Sequence, residues 1–244
     1  MRKGFTLVEL SVVFVIVGLL VGGILVAQSM ISTAKINAQI RQFTQLDIAI
    51  TNFQTKYNVL PGDSPFHAVP GDGNGIIDNS QTLLGTDTVT LNSYDYEISN
   101  FWPHLQQDGV FDKEYPAFSN NAALGAHVKT HFPMAKVDPR TGIAPFASTL
   151  HVYKFYYVLA DFEKTSSINI TANISANFPV TETFALDKKI DDGIARGSNN
   201  YTYSGKMFIS TYSPNCYDPV TFAYILNSGA NRIFYVAMQG QTIK

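Results

Sequence analysis

The sequence predicts an α+β fold: one long N-terminal helix, with a membrane half and an amphipathic half, packed on a mainly antiparallel β-sheet. Three observations carry this expectation. No residue between Leu10 and Ala34 is charged. Between Ile36 and Tyr57 apolar residues recur at helical spacing, and beyond Pro61 the chain changes to Gly/Asn/Asp turns and to runs rich in Val, Tyr and Phe, residues that favour strands.

The first element begins at the segment Lys3-Gly4-Phe5-Thr6-Leu7-Val8-Glu9-Leu10-Ser11. At ~1.5 Å per residue the uncharged run that follows can cross a ~30 Å hydrocarbon core as a single helix. Arg2 and Lys3 place its basic end on the cytoplasmic side. Glu9 stands at the mouth of the run, where a carboxylate costs up to the ~2.5–3.5 kcal/mol of an ionisable group at the bilayer centre, so its retention points to a partner. A secretory signal peptide is the simplest rival, and Ala27-Gln28-Ser29 offers it a small-x-small cleavage site. Its apolar region would span only ~7–15 residues, however, and neither it nor a plain anchor accounts for an acid at this position. Gly18 and Gly22 have small-xxx-small spacing and Gly23 adjoins them; such residues let helices approach closely.

Gly4-Phe5-Thr6-Leu7-Val8-Glu9 resembles the class III signal of type IV pilins and of the pseudopilins of type II secretion. The resemblance implies a pilin-like fold, cleavage between Gly4 and Phe5 by a prepilin peptidase, N-methylation of Phe5 by the same enzyme, and an assembly role for Glu9. It also implies other pilins or pseudopilins, an inner-membrane assembly platform and an ATPase as partners. Residues 1–4 then form a leader peptide, residues 5–30 a transmembrane and assembly helix, and residues 31–244 a periplasmic or extracellular domain. Many pilins carry a proline in the membrane half, whereas this chain has none before Pro61.

In the second half of the helix, Ile36, Ile40, Phe43, Leu46, Ile50, Phe53 and Tyr57 follow one another at gaps of three and four, one face of an α-helix. Polar residues, Gln39, Arg41, Gln42, Thr44 and Gln45 among them, fill the intervening positions, and Leu60-Pro61-Gly62-Asp63 supplies the stop. The expected helix runs from about Phe5 to Val59 and, at roughly 50 residues, is some 75 Å long.

Past the helix, Pro70-Gly71-Asp72-Gly73-Asn74-Gly75 reads as loop, and a short helix or turn is expected around Asn100 to Gln107. His151–Ala160, Tyr201–Ser210, Val220–Leu226 and Arg232–Met238 read as strands, as does Ile168–Val180, where every second residue is apolar. Phe101–Gly109 and Asp187–Gly193 resemble stretches of larger pilin-like proteins; the resemblance implies no chemistry, so Trp102 and Leu105 are expected in the core.

Asp72-Gly73-Asn74-Gly75-Ile76-Ile77-Asp78 matches positions 3 to 9 of an EF-hand loop, but Pro70 stands at position 1 and Gln81 at position 12. Asp72, Asn74 and Asp78 are therefore candidate ligands of a degenerate calcium site, against the simpler reading of a Gly/Asn/Asp turn. Major pseudopilins are similar in using a calcium-stabilised loop where pilins use a disulfide. Cys216 is the sole cysteine, so no intramolecular disulfide can form, which favours the pseudopilin branch of the resemblance.

Composition bounds the function. The chain is 244 residues long, 45% hydrophobic and 13% aromatic, enough for a sizeable core. With 17 basic and 19 acidic residues, and fewer basic ones once Arg2 and Lys3 are removed, it has no broad basic footprint for nucleic acid. His127 and His131 have i, i+4 spacing without the glutamate of a zinc-protease helix, and no nucleophile-elbow, P-loop or dinucleotide-binding motif is present. The expectation is a non-enzymatic structural subunit of a pilus-like or pseudopilus filament. It would stand first in the bacterial inner membrane, N-terminus cytoplasmic, and then in a homo-oligomeric filament. The alternative is a minor, tip-located pilin that binds an exoprotein, a surface or DNA.

Overall fold

The computed structural model describes residues 6–75, 77, 96–110, 115, 128–147, 155–160, 179–194, 206–209, 218, 221, 223–226 and 234–237. Helix α1, Leu7–Tyr57, is 51 residues long and continuous. It ends where Asn58 adopts the left-handed conformation, φ 59°, and donates its N–H to the Gln54 carbonyl, a short polar residue closing a helix as glycine often does. Helix α2 is Tyr96–Gln107, α3 Val128–His131 and α4 Val180–Ile190; strands β1 to β4 are Gly142–Ala147, Phe155–Ala160, Met207–Ile209 and Phe234–Ala237. The strands form one sheet in the order β1-β2-β4-β3, every pair antiparallel, with Gly142 opposite Ala160, Tyr156 opposite Ala237 and Met207 opposite Val236. The fold is thus a long helix with an antiparallel sheet and further helices, as the pattern predicts.

The two halves of α1 differ in what covers them. Ile36, Phe43, Leu46, Ile50 and Phe53 are buried, and Ile40 and Tyr57 pack partly against the same core. That core also holds Phe101, Trp102, Leu105, Ile143 and Tyr157. Phe43 stacks on Tyr157, ring centroids 5.5 Å apart, and the Tyr157 hydroxyl donates to Asp47 Oδ1 at 2.8 Å. Burial first, and the Asp47 carboxylate second, hold that phenol well above its ordinary pKa. Before Ile36 the helix is uncovered: none of its most apolar stretch is buried.

Several expectations need adjustment. Gln39, a polar filler in the sequence pattern, is fully buried; its Oε1 accepts the amides of Lys136 and Val137 at 2.7 and 3.4 Å, while Gln42 Nε2 donates to the Met134 carbonyl at 2.9 Å. The helix thereby satisfies the backbone of the segment that leads into β1, groups that burial would otherwise leave unpaired. Strand β1 lacked a strand signal because it contains Pro145; it lies at the sheet edge, where a missing N–H is tolerated. At the end of the alternating run Val180 opens α4 rather than continuing a strand; residues 168–178 lie outside the described residues. Around Tyr224 no strand of three or more residues forms among the described residues. Strands β2, β3 and β4 fall inside predicted segments, and Trp102 and Leu105 are buried as expected.

Candidate functional site

Two places concentrate the residues singled out by the sequence: the start of α1 and the loop after it. Gly4 and Phe5 lie outside the described residues. Thr6 is the N-cap, φ −86° and ψ 150°. Its Oγ1 accepts the Glu9 amide at 3.3 Å, and Glu9 Oε2 accepts both the Thr6 amide and the Thr6 hydroxyl at 2.8 Å. This reciprocal pair is a capping box, legible as Thr6-x-x-Glu9 and missed when Glu9 was weighed only as a membrane charge. It answers part of that cost locally, because two donors reach the carboxylate before any neighbour does. Both bonds fall on Oε2, which leaves Oε1 available. Leu7, Phe14 and Leu19 are largely exposed, and a Cβ on Gly18, Gly22 or Gly23 would meet nothing within 4 Å.

The loop folds back on itself beside α2. Gly62, φ +92°, lies so close to α2 that a Cβ would stand 2.4 Å from the Glu97 carbonyl oxygen, and a Cβ on Gly71 would stand 2.4 Å from the Gly62 oxygen. Only bare backbone permits these crossings. Gly71 N–H donates to Ser64 O at 3.0 Å and Gly73 N–H to Asp63 O at 2.9 Å. His104 of α2 holds the loop from the other side: Nδ1 accepts the Gly62 amide at 2.9 Å and Nε2 donates to Val69 O at 2.8 Å. Inside the fold lie Asp63 and Glu97, both fully buried, with exposed Asp72 beside them; one carboxylate oxygen from each lies within 4.8 Å of the others. Asp72 N–H donates to Glu97 Oε1 at 2.8 Å and Gly75 N–H to Asp63 Oδ2 at 2.9 Å. Burial pushes the Asp63 carboxyl up to about 6, against the pull of nearby amides.

Comparison with known proteins bears on the first of these places. Residues 1–25 match the prokaryotic N-terminal methylation motif. The chain carries the class III signal of type IV pilins and pseudopilins. The match covers the leader region and most of the membrane run, and it is a structural, pilin-type motif rather than an enzyme class. No curated protein and no solved structure matches the chain.

The predicted loop residues are placed as follows. Asn74 donates from its amide nitrogen to Asp72 Oδ1 and from Nδ2 to Asp72 Oδ2, both at 2.9 Å, so it orients Asp72. Asp78 lies outside the described residues, as do Cys216 and His127. The structure instead brings Asp72 to Asp63 and Glu97. Neither was a candidate in the sequence, since Glu97 lies 25 residues from Asp72 and no short motif spans such a gap. Asp63 gave a weak signal: a carboxylate within a Pro-Gly-Asp stop.

Proposed function

We propose that the chain is a filament subunit of the type IV pilus or type II secretion class, cleaved after Gly4, methylated on Phe5 and polymerised through α1. The observation that carries this reading is the division of one continuous helix: residues after about 35 supply the core of the folded domain, while the uncovered apolar half begins with the methylation motif. An apolar helix surface of that length is stable only against lipid or against copies of itself. Before assembly it stands in the inner membrane with the domain, residues 31–244, on the far side; assembly moves it into a bundle of like helices.

Glu9 then has a second task. The capping box occupies Oε2 and leaves Oε1 available for a neighbour. The amine of a neighbouring Phe5 would pair with it and neutralise two charges that are costly when separate in an apolar bundle. The peptidase, the platform and the ATPase are the partners this cycle requires. The test is the ratio of sheared filament to membrane pool in cells producing parent, Glu9→Asp or Glu9→Val. Glu9→Val should be inserted and cleaved normally, starting at methylated Phe5 by mass spectrometry, yet give little filament, with Glu9→Asp between. A parental ratio for Glu9→Val would refute the assembly role.

A further inference from the structure

We propose that Asp63, Asp72 and Glu97 form a binding site for a calcium-sized divalent cation, which ties the loop after α1 to the start of α2. The ligand set differs from the EF-hand-like one suggested by the sequence: it keeps Asp72, adds two buried carboxylates from either side, and uses Asn74 to steer Asp72.

Three like charges this close repel one another, and two of them lie fully inside the protein; buried charges persist only where something compensates them. Asp63 shows that compensation is incomplete. Its Oδ2 takes the Gly75 amide, but its buried Oδ1 has no hydrogen-bond partner among the described residues. The amides of Gly73 and Asn74 lie close enough to draw on this carboxyl, but their hydrogen bonds go to Asp63 O and to Asp72 Oδ1. No basic side chain pairs with Asp63 among the described residues; Lys56 pairs with Asp108 and Arg140 with Asp138. A fully buried carboxylate oxygen without a partner, beside two further carboxylates, is an arrangement that a cation completes.

The donor chemistry selects the ion. All three donors are carboxylates, which suit hard cations, and the cluster offers no thiolate or imidazole for zinc. Both ring nitrogens of His104 are engaged, by Gly62 and Val69, and Nδ1 of His67, within the loop, is bonded to Ser64 Oγ. Three carboxylates from the protein at one site suit calcium, which takes many oxygen ligands, better than magnesium, which keeps most of its waters. The Gly62 and Gly71 crossings hold the donors in place without the ion, so binding needs little rearrangement.

The experiment uses the full-length chain in detergent micelles, stripped of metal and titrated with calcium chloride or magnesium chloride, following thermal unfolding and bound metal by equilibrium dialysis. Calcium should bind at one ion per chain and raise the melting temperature saturably, a chelator should reverse this, and magnesium should do less at equal concentration. Asp63→Asn and Asp72→Asn should each weaken binding by at least about tenfold, while Asp138→Asn, outside the site, should respond like the parent. Asp72 is exposed, so its variant reports on binding even if Asp63→Asn does not fold. A melting temperature indifferent to calcium and chelator, an unaltered response in Asp72→Asn, or a stronger response to magnesium would each overturn the proposal.

Discussion

Gly62 and Gly75 have nearly the same backbone conformation, φ +92° and +85°, in very different surroundings. At Gly75 an added Cβ meets open space; at Gly62 it meets the main chain of Glu97 at 2.4 Å. Alanine at Gly75 should therefore cost only the left-handed conformation, about 1 kcal/mol. Alanine at Gly62 adds a collision with backbone that cannot swing away, and about 2–4 kcal/mol is expected in total. Chemical unfolding of the two variants in the same detergent checks the order. Equal losses would show that the crossing of Gly62 and α2 is looser than described.

At the scale of elements, α2 is joined to the loop through one imidazole. His104 is fully buried, stacked on His67 at 4.2 Å, and bonded at both nitrogens. Burial, first of all, lowers its pKa to about 4 and lowers that of His67 as well, with Asp108 and Lys56 the charged groups facing the pair. Both folded values lie below the ordinary 6.5, so the stability tied to the neutral rings is complete above pH 6.5 and is lost as pH falls towards 4. For His104 the loss is on the order of 3 kcal/mol, because protonated Nδ1 can no longer accept the Gly62 amide. Asp63 acts with the opposite sign: with its folded value raised to about 6, its contribution is present below the ordinary carboxylate range and lost as pH rises through 6. In chelator the two contributions nearly offset each other between pH 6.5 and 4 in the parent, so the test is relative: His104→Asn, which lacks the imidazole's loss, should gain stability relative to the parent as pH falls through that window. Parallel curves would show that His104 does not control the acid response.

At the scale of the whole molecule, one helix has two surfaces with separate tasks, and two phenylalanines separate them. Phe53 is 1% exposed in the core and Phe14 is 66% exposed in the membrane half. Phe53→Ala should destabilise the domain by about 3–5 kcal/mol. Phe14→Ala should leave unfolding in detergent within about 0.5 kcal/mol of the parent while reducing the yield of sheared filament. Measuring both quantities for both variants tests the division, and a Phe14→Ala chain that unfolds early would show that the two halves are not independent.

Much of α1 was readable in the chain because its signals are local. Charge exclusion from Leu10 to Ala34, the three-and-four spacing from Ile36 to Tyr57 and the Thr6-x-x-Glu9 cap all lie within a few turns of one helix, where periodicity alone decides which face meets what. The methylation motif is equally local, which is why the N-terminal function was legible there. Strand β1 was hidden because Pro145 is acceptable only at a sheet edge, and edge position is a property of the sheet. Gln39 was hidden because only the arrival of Lys136 and Val137 makes its burial tolerable. For the acidic cluster the sequence determined Asp72 and the glycines that let the loop fold, whereas tertiary structure decided which carboxylates meet. Asp63 and Glu97 come together across 34 positions of chain through the crossing of Gly62 on α2, a contact between backbones that no side-chain pattern announces.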